Sequence, residues 1–151
     1  MKRLLAVILV ALGLSAPATA STVVRVVDGD TAVVVFHGTN RTLRLYCIDA
    51  PEKQQPGGPE ATAALRTALG NGAVSIRVLR LDRYGRSVAR VRINRRDVSL
   101  ELVRQGLAWD YRSLCTDPRF AAAEDAARAA RIGLWASDHP IEPSDWRKGV
   151  R

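Results

Sequence analysis

RTLRLYCIDAPE, residues 41–52, reads as a strand that runs out into a carboxylate, a proline turn and a second carboxylate. Strand alternation over Arg41 to Ile48 places Leu43, Leu45 and Cys47 on one face and Arg44, Tyr46 and Ile48 on the other. Arg44 therefore stands among apolar neighbours, and a charge so placed needs a partner. Asp49 and Glu52 follow at a spacing of three with Pro51 fixing φ between them, so two oxygen donors are held where the strand leaves the sheet. Such a corner can hold a hard cation.

Upstream, TVVRVV, Asp28-Gly29 and DTAVVVF place valines on both sides of an Asp-Gly turn, which predicts a hairpin. His37-Gly38-Thr39-Asn40 predicts a second turn, so three consecutive strands are expected as an antiparallel meander. Downstream, QQPGG at 54–58 has the composition of a mobile loop, and Pro59 opens a helix whose stripe of Ala61, Ala64, Leu65, Ala68 and Leu69 stops at Gly70. Val74 to Leu81 and Arg86 to Ile93 read as strands joined at DRYG, with Ala89, Val91 and Ile93 inward and Arg86, Val88, Arg90 and Arg92 on the other face. A short helix is expected around Ser99 to Gln105, then an extended Leu107 to Arg112. A longer helix follows from the Asp117 cap and Pro118 to Arg131, with Phe120, Ala123, Ala127 and Ala130 buried. Five strands and three helices without βαβ alternation predict a small β-barrel with about three packed helices. The tail from Ser137 to Arg151, with Pro140 and Pro143, is expected to be irregular.

The ends and the totals bound the setting. Residues 1–20 carry Lys2 and Arg3, an apolar run from Leu4 to Leu14 and the small-residue site Ala18-Thr19-Ala20, the pattern of a cleaved secretory signal. An uncleaved membrane anchor is the alternative, but the run is about half of the roughly 20 residues a span needs. The domain is then residues 21–136 and the tail 137–151, exported to the periplasm or secreted, with no stable membrane association after cleavage. A chain of 151 residues makes one ordinary domain, and its 47% apolar content allows a proper core. The formal charge of +8, or +6 without the leader, favours an anionic partner: nucleic acid, anionic lipid or an acidic polymer. Two cysteines and two histidines are too few for four-cysteine or three-histidine zinc centres, so any metal is expected to be bound by oxygen.

Several residues carry chemistry only in company. Asp28 to Asp30 alone is an ordinary turn, and an EF-hand is excluded because Ala32 and Thr39 stand at required ligand positions. Yet Asp30, Asp49 and Glu52 all fall at ends of neighbouring strands, and three convergent acids repel unless a cation or arginines compensate them. Arg44 and Arg86 supply that compensation if the barrel closes. A planar fork of donors binds non-bridging phosphate oxygens and neutralises charge that grows at phosphorus, which lysine does less well.

VDGDT, RLYCIDAPE, GPEAT, DRYGRSVA, LVRQGLAW and the alanine-rich helix ending GLW stand in the order and spacing of the staphylococcal-nuclease-like (thermonuclease) family, which the chain resembles from Val23 to Trp135. The resemblance implies an OB-fold barrel, Ca²⁺, and hydrolysis of phosphodiesters in DNA and RNA that are single-stranded or locally opened, leaving 3′-phosphates. It implies that Asp30, Asp49 and the carbonyl of Ala50 ligate the calcium, that Glu52 is the general base, and that Arg44 and Arg86 grip the scissile phosphate. Arg83 and Tyr84 match positions near the terminal phosphate and sugar. Two departures stand out: the loop after Glu52 is short where the best-known members carry a long basic one, and a second tyrosine usual after LAW is absent. Trp109 and Tyr111 are then the candidates for base stacking, although either can equally serve as core or rim packing. Asp110 places a negative charge where DNA would approach. Cys47 has no local histidine to make it a nucleophile, and in an exported protein a Cys47–Cys115 bridge is the expectation. The reading is an exported, monomeric, calcium-dependent nuclease. The rivals are a non-catalytic nucleic-acid-binding OB domain and a protein-interaction module, and the complete acid and arginine set discriminates against both.

Overall fold

The computed structural model describes residues 21–70 and 74–151. The secretory signal expected over 1–20 lies outside them. Valine-rich β1 (Thr22–Val26) and β2 (Thr31–Phe36) form the expected hairpin, with Val26 opposite Ala32. His37 and Gly38 then turn the chain with φ of 48° and 77°, so Phe36 faces Thr39 directly. Two residues of positive φ match the right-handed twist of the flanking strands, and β3 (Thr39–Leu45) accordingly starts two residues earlier than the sequence predicts.

The predicted strand over 41–48 is in fact two. Cys47 has a φ of 70°, which ends the ladder after Leu45; Ile48–Asp49 (β4) leaves it to pair antiparallel with Trp109–Asp110 (β8). Alternation therefore fails at Cys47, and Cys47 and Ile48 are both buried although adjacent. The extended segment predicted over 107–112 is ordered as strand only at β8.

Gly58–Gly70 (α1) begins with Pro59 in its first turn, as expected. The preceding loop is not the free one its composition suggests: Gln55 is buried, its backbone N–H donates to the Glu52 carbonyl, and Gly58 donates back to Gln55. Val74–Leu81 (β5) and Ser87–Ile93 (β6) are antiparallel partners, and Arg96–Asp97 (β7) adds a short rung to β6. Val88 is buried, against the outward face predicted for it. β6 also runs parallel to β3, with Leu43 opposite Ser87 and Arg44 opposite Val88. The sheet order is β1-β2-β3-β6-β5, so the five long strands of an OB-like barrel are present. Among the described residues β1 and β5 are the ends of an open sheet, not a closed barrel.

Val98–Arg104 (α2) is capped by Asp97, which accepts from the Leu100 N–H. Pro118–Ala129 (α3) is capped by Asp117 and is shorter than the predicted 118–131. Its inner face holds Phe120, Ala123 and Ala127 as predicted, but Ala130 is exposed and Glu124 is buried in the stripe. The core joins Val34, Leu43 and Val91 of the sheet to Leu65 of α1, Leu100 and Val103 of α2, and Phe120 of α3. Burying each large side chain of this kind contributes roughly 1.5–3 kcal/mol. The tail, predicted to be irregular, holds a fourth helix, Pro143–Arg147 (α4), with Pro143 at its start and buried. No described helix is long and apolar enough to cross a membrane.

Candidate active site

The ends of β3 and β4, the β1–β2 loop and the β5–β6 turn surround a cleft of about 720 Å³. Strand register brings the first two together. Thr31 lies opposite Arg44, so Asp30 stands beside Leu45, whose N–H donates to the Asp30 carbonyl at 2.8 Å. Gly29 lets the loop approach: a Cβ there would meet the Cβ atoms of Ala50 and Ala61 at 2.7 Å. The Asp-Gly step thus serves close packing as well as turning.

In this arrangement Arg44 does find the partner its setting demands. Its Nη1 lies 3.0 Å from Asp30 Oδ2 and its Nη2 2.9 Å from Asp49 Oδ1, and all three side chains are largely buried. Asp30 also accepts from the Ala50 N–H at 2.8 Å and the Thr31 hydroxyl at 2.9 Å. Burial pushes the Asp49 carboxyl above the usual carboxylate range, and the arginines offset this only in part. Asp28, whose Oδ1 accepts from the Asp30 N–H, is pushed up to about 6 by burial and then by the charge of Asp30.

Glu52 lies on the same rim, and its backbone N–H donates to Gln55 Oε1 at 3.1 Å. The turn Asp82–Arg86 supplies the opposite wall. Asp82 accepts from the backbone N–H groups of Tyr84 and Arg86, each at 2.9 Å, and from Arg86 Nε at 2.7 Å. Burial opposes ionisation of Asp82, but the bonds from Arg86 prevail and hold its carboxyl below the usual range. Asp82 therefore aims Arg86. Tyr84 is 68% exposed at the mouth, and the Arg83 guanidinium lies 4.8 Å from its ring centroid.

The two stacking candidates separate. Tyr111 is 38% exposed and lines the cleft. Trp109 is 5% exposed and packs edge-on against Trp135, with centroids 5.2 Å apart, so it belongs to the core and not to the site. Asp110 does not face the cleft either. Its side chain is nearly enclosed beside Glu124 of α3, and burial, then the Glu124 charge, pushes its carboxyl up. Cys47 and Cys115 form a disulfide, which fastens the Tyr111 loop to the chain just before Asp49; the Tyr111 N–H also donates to the Cys47 carbonyl at 2.9 Å.

One member of the site was not foreseen. Arg147, from α4, places Nη2 3.0 Å from Asp49 Oδ2 and Nη1 2.7 Å from Glu52 Oε1. Burial opposes its protonation, yet the bonds from Asp49 and Glu52 raise its pKa further. Asp82 and Gln55 were likewise missed as positioning residues. Only Asp82 had a local signal, an acid that opens a turn closed by an arginine.

As a set, these groups can bind a phosphate with arginine forks, accept a proton on Glu52 and offer hard oxygens to a cation. The donor chemistry fits Ca²⁺, because Asp30 and Asp49 already share one positive partner and every candidate ligand is oxygen. Among the described residues no three His, Cys, Asp or Glu side chains are gathered into a ready metal cluster, and Glu52 is paired with Arg147.

The family model of the staphylococcal nuclease homologue matches residues 42–137. An uncharacterized endonuclease of Haemophilus influenzae is 39% identical over 127 residues, covering 83% of this chain and 71% of that protein. An uncharacterized endonuclease of Escherichia coli O157:H7 is 36% identical over 126 residues, covering 83% and 82%. A probable staphylococcal-like nuclease of Oryza sativa subsp. japonica is 39% identical over 109 residues, which are 72% of this chain but 30% of the plant protein.

Proposed function

The chain belongs to the staphylococcal nuclease homologue family and is a nuclease; on that premise we propose that it is an exported, calcium-dependent enzyme that hydrolyses DNA and RNA to 3′-phosphate ends. The observation that carries this reading is the meeting of the Arg44-bridged pair Asp30 and Asp49, Glu52 and Arg86 around one cleft. Asp30, Asp49 and the Ala50 carbonyl would hold the calcium, which when bound polarises the phosphate and offsets its charge. Arg44 and Arg86 orient the scissile phosphate through its non-bridging oxygens and stabilise the charge that grows there. Glu52 takes a proton from water as the water oxygen adds to phosphorus; the bond to the 5′ oxygen breaks, that oxygen takes a proton from solvent and leaves as a hydroxyl, and Glu52 returns its proton to solvent. Tyr84 and Tyr111, both exposed and lining the cleft, offer faces on which unpaired bases stack, which favours single-stranded or opened substrate. The N-terminal pattern of residues 1–20 supports export, and the Cys47–Cys115 bridge agrees with an oxidising compartment.

The test is cleavage of a labelled oligonucleotide with Ca²⁺, Mg²⁺ or EGTA, beside a binding titration. Wild type is expected to cut with Ca²⁺ and much less with Mg²⁺ or EGTA. Glu52→Gln should lose about 10²- to 10⁴-fold in kcat while keeping most of its affinity, because counterion release from the phosphates does not need Glu52. Binding without cutting in every condition would establish a non-catalytic nucleic-acid-binding domain instead.

A further inference from the structure

Arg147 reaches the carboxylates from beyond the residues that the family model matches, which end at 137. The tail is fastened to the turn that carries Glu52. Gln55, whose Oε1 accepts the Glu52 N–H, donates through Nε2 to the Ile141 carbonyl, and Pro143 is buried just after it. From that anchor one helical turn delivers the guanidinium to Asp49 and Glu52 together. Asp49 then has both oxygens engaged, Oδ1 by Arg44 and Oδ2 by Arg147, and Glu52 has Oε1 engaged. The two arginines are not equivalent. Arg44 is 12% exposed and enclosed by the sheet, whereas Arg147 is 48% exposed and approaches from solvent, so its side chain can leave without disturbing the core.

We propose that segment 143–147 is an internal latch: the Arg147 guanidinium competes with the divalent cation for Asp49 and with the attacking water for Glu52, and the site loads only as Arg147 withdraws. This rests on the calcium reading given above. A guanidinium seated on Asp49 Oδ2 repels a cation that approaches the same oxygen and takes up one of its lone pairs, so whatever holds Arg147 in place lowers the cation's apparent affinity. The contact is two-pronged and charge-assisted, which sets it apart from a solvated tail arginine. Its consequence is that the C-terminal segment, and not the donor set alone, fixes the calcium concentration at which the enzyme becomes competent.

The test is calcium titration by isothermal calorimetry, without substrate, on the wild type, Arg147→Gln and Lys148→Gln. Lys148→Gln removes the same charge from the neighbouring position, where the lysine pairs with Asp145 and touches neither Asp49 nor Glu52. Arg147→Gln is expected to bind calcium at least about fivefold tighter than wild type, and Lys148→Gln within about twofold of it. Melting curves without calcium confirm that all three are folded. Equal or weaker binding by Arg147→Gln overturns the latch and leaves the calcium-dependent nuclease standing. Equal tightening in both variants also overturns it, in favour of a general charge effect. Absence of calcium binding in all three proteins overturns the calcium reading and the latch with it.

Discussion

Asp49 is where the charges of the site converge, and Arg44 is what makes that tolerable. Two largely buried carboxylates, Asp30 and Asp49, share its guanidinium at 3.0 and 2.9 Å. Removing one partner from such a group leaves uncompensated buried charge, which costs about 3–5 kcal/mol. Arg44→Gln should therefore lose stability of that order in urea at neutral pH without calcium, and regain part of it when calcium is added. A change below about 1 kcal/mol would show that Arg147 or solvent already neutralises the pair. The need for a partner at Arg44 was legible in the sequence from strand alternation, and the acids were gathered by their places at strand ends, but which arginine meets which acid was not legible: Arg86 pairs with Asp82 and Glu52 with Arg147. Asp110 was not legible: its residue type suggested a charge facing nucleic acid, but position 110 pairs with Ile48 and its side chain turns inward to Glu124. Trp109 shows the same limit, since an aromatic beside a site reads alike whether its ring faces solvent or Trp135.

At the scale of elements, the starts of α1 and α3 were legible because their causes are local. Asp117 caps α3 through a contact two residues away, and Pro59 and Pro118 open helices where a missing N–H does no harm, whereas the Asp97 cap of α2 and the Pro143 start of α4 went unread. The break between β3 and β4 was not, because a cysteine with positive φ announces nothing in sequence; the turn is stabilised by partners distant along the chain, Cys115 through sulfur and Tyr111 through the Cys47 carbonyl. The disulfide closes a separation of 68 residues, for which the chain-entropy estimate is about 4 kcal/mol. The double variant Cys47→Ser/Cys115→Ser should lose stability of that order in chemical unfolding, and titration of denatured, unreduced wild type with a thiol reagent should find no free thiol. Two free thiols in the wild type would remove both the bridge and the tie it makes between the Tyr111 loop and Asp49. The parallel pairing of β3 with β6 was also hidden, since alternation reports which face is buried and says nothing about which strand lies alongside.

For the whole molecule, the site is assembled from separations that no local pattern encodes: Arg147 meets Glu52 and Asp49 across 95 and 98 residues. The same assembly sets the response to pH. Asp28 is raised to about 6, and Asp49 and Asp110 are raised as well, all first by burial. In the folded state such groups hold a proton at a pH where the unfolded chain has released it. They therefore add stability as pH falls from about 6 toward the ordinary carboxylate range, and remove it as pH rises. Asp82 and Asp117 act oppositely. Their arginine partners hold them below the usual range, although burial opposes this at both, so what they contribute is complete above about pH 4 and lost in stronger acid. The apo protein should accordingly be most stable in mild acid, between about pH 4 and pH 6, and weaken toward neutrality. On the proposed reading calcium binds the deprotonated acids, and it should then move that maximum upward and raise the neutral limb most. Thermal unfolding followed from pH 3 to pH 8, with and without calcium, measures both limbs. A maximum at neutral pH without calcium would mean that the crowded acids are relieved in solution. A calcium effect equal at every pH would mean that the ion binds away from Asp30 and Asp49. On the proposed calcium reading, the site binds its cation on the limb of the curve where burial disfavours the ionised acids, so that the charge a cation would need is the charge that weakens the unliganded fold.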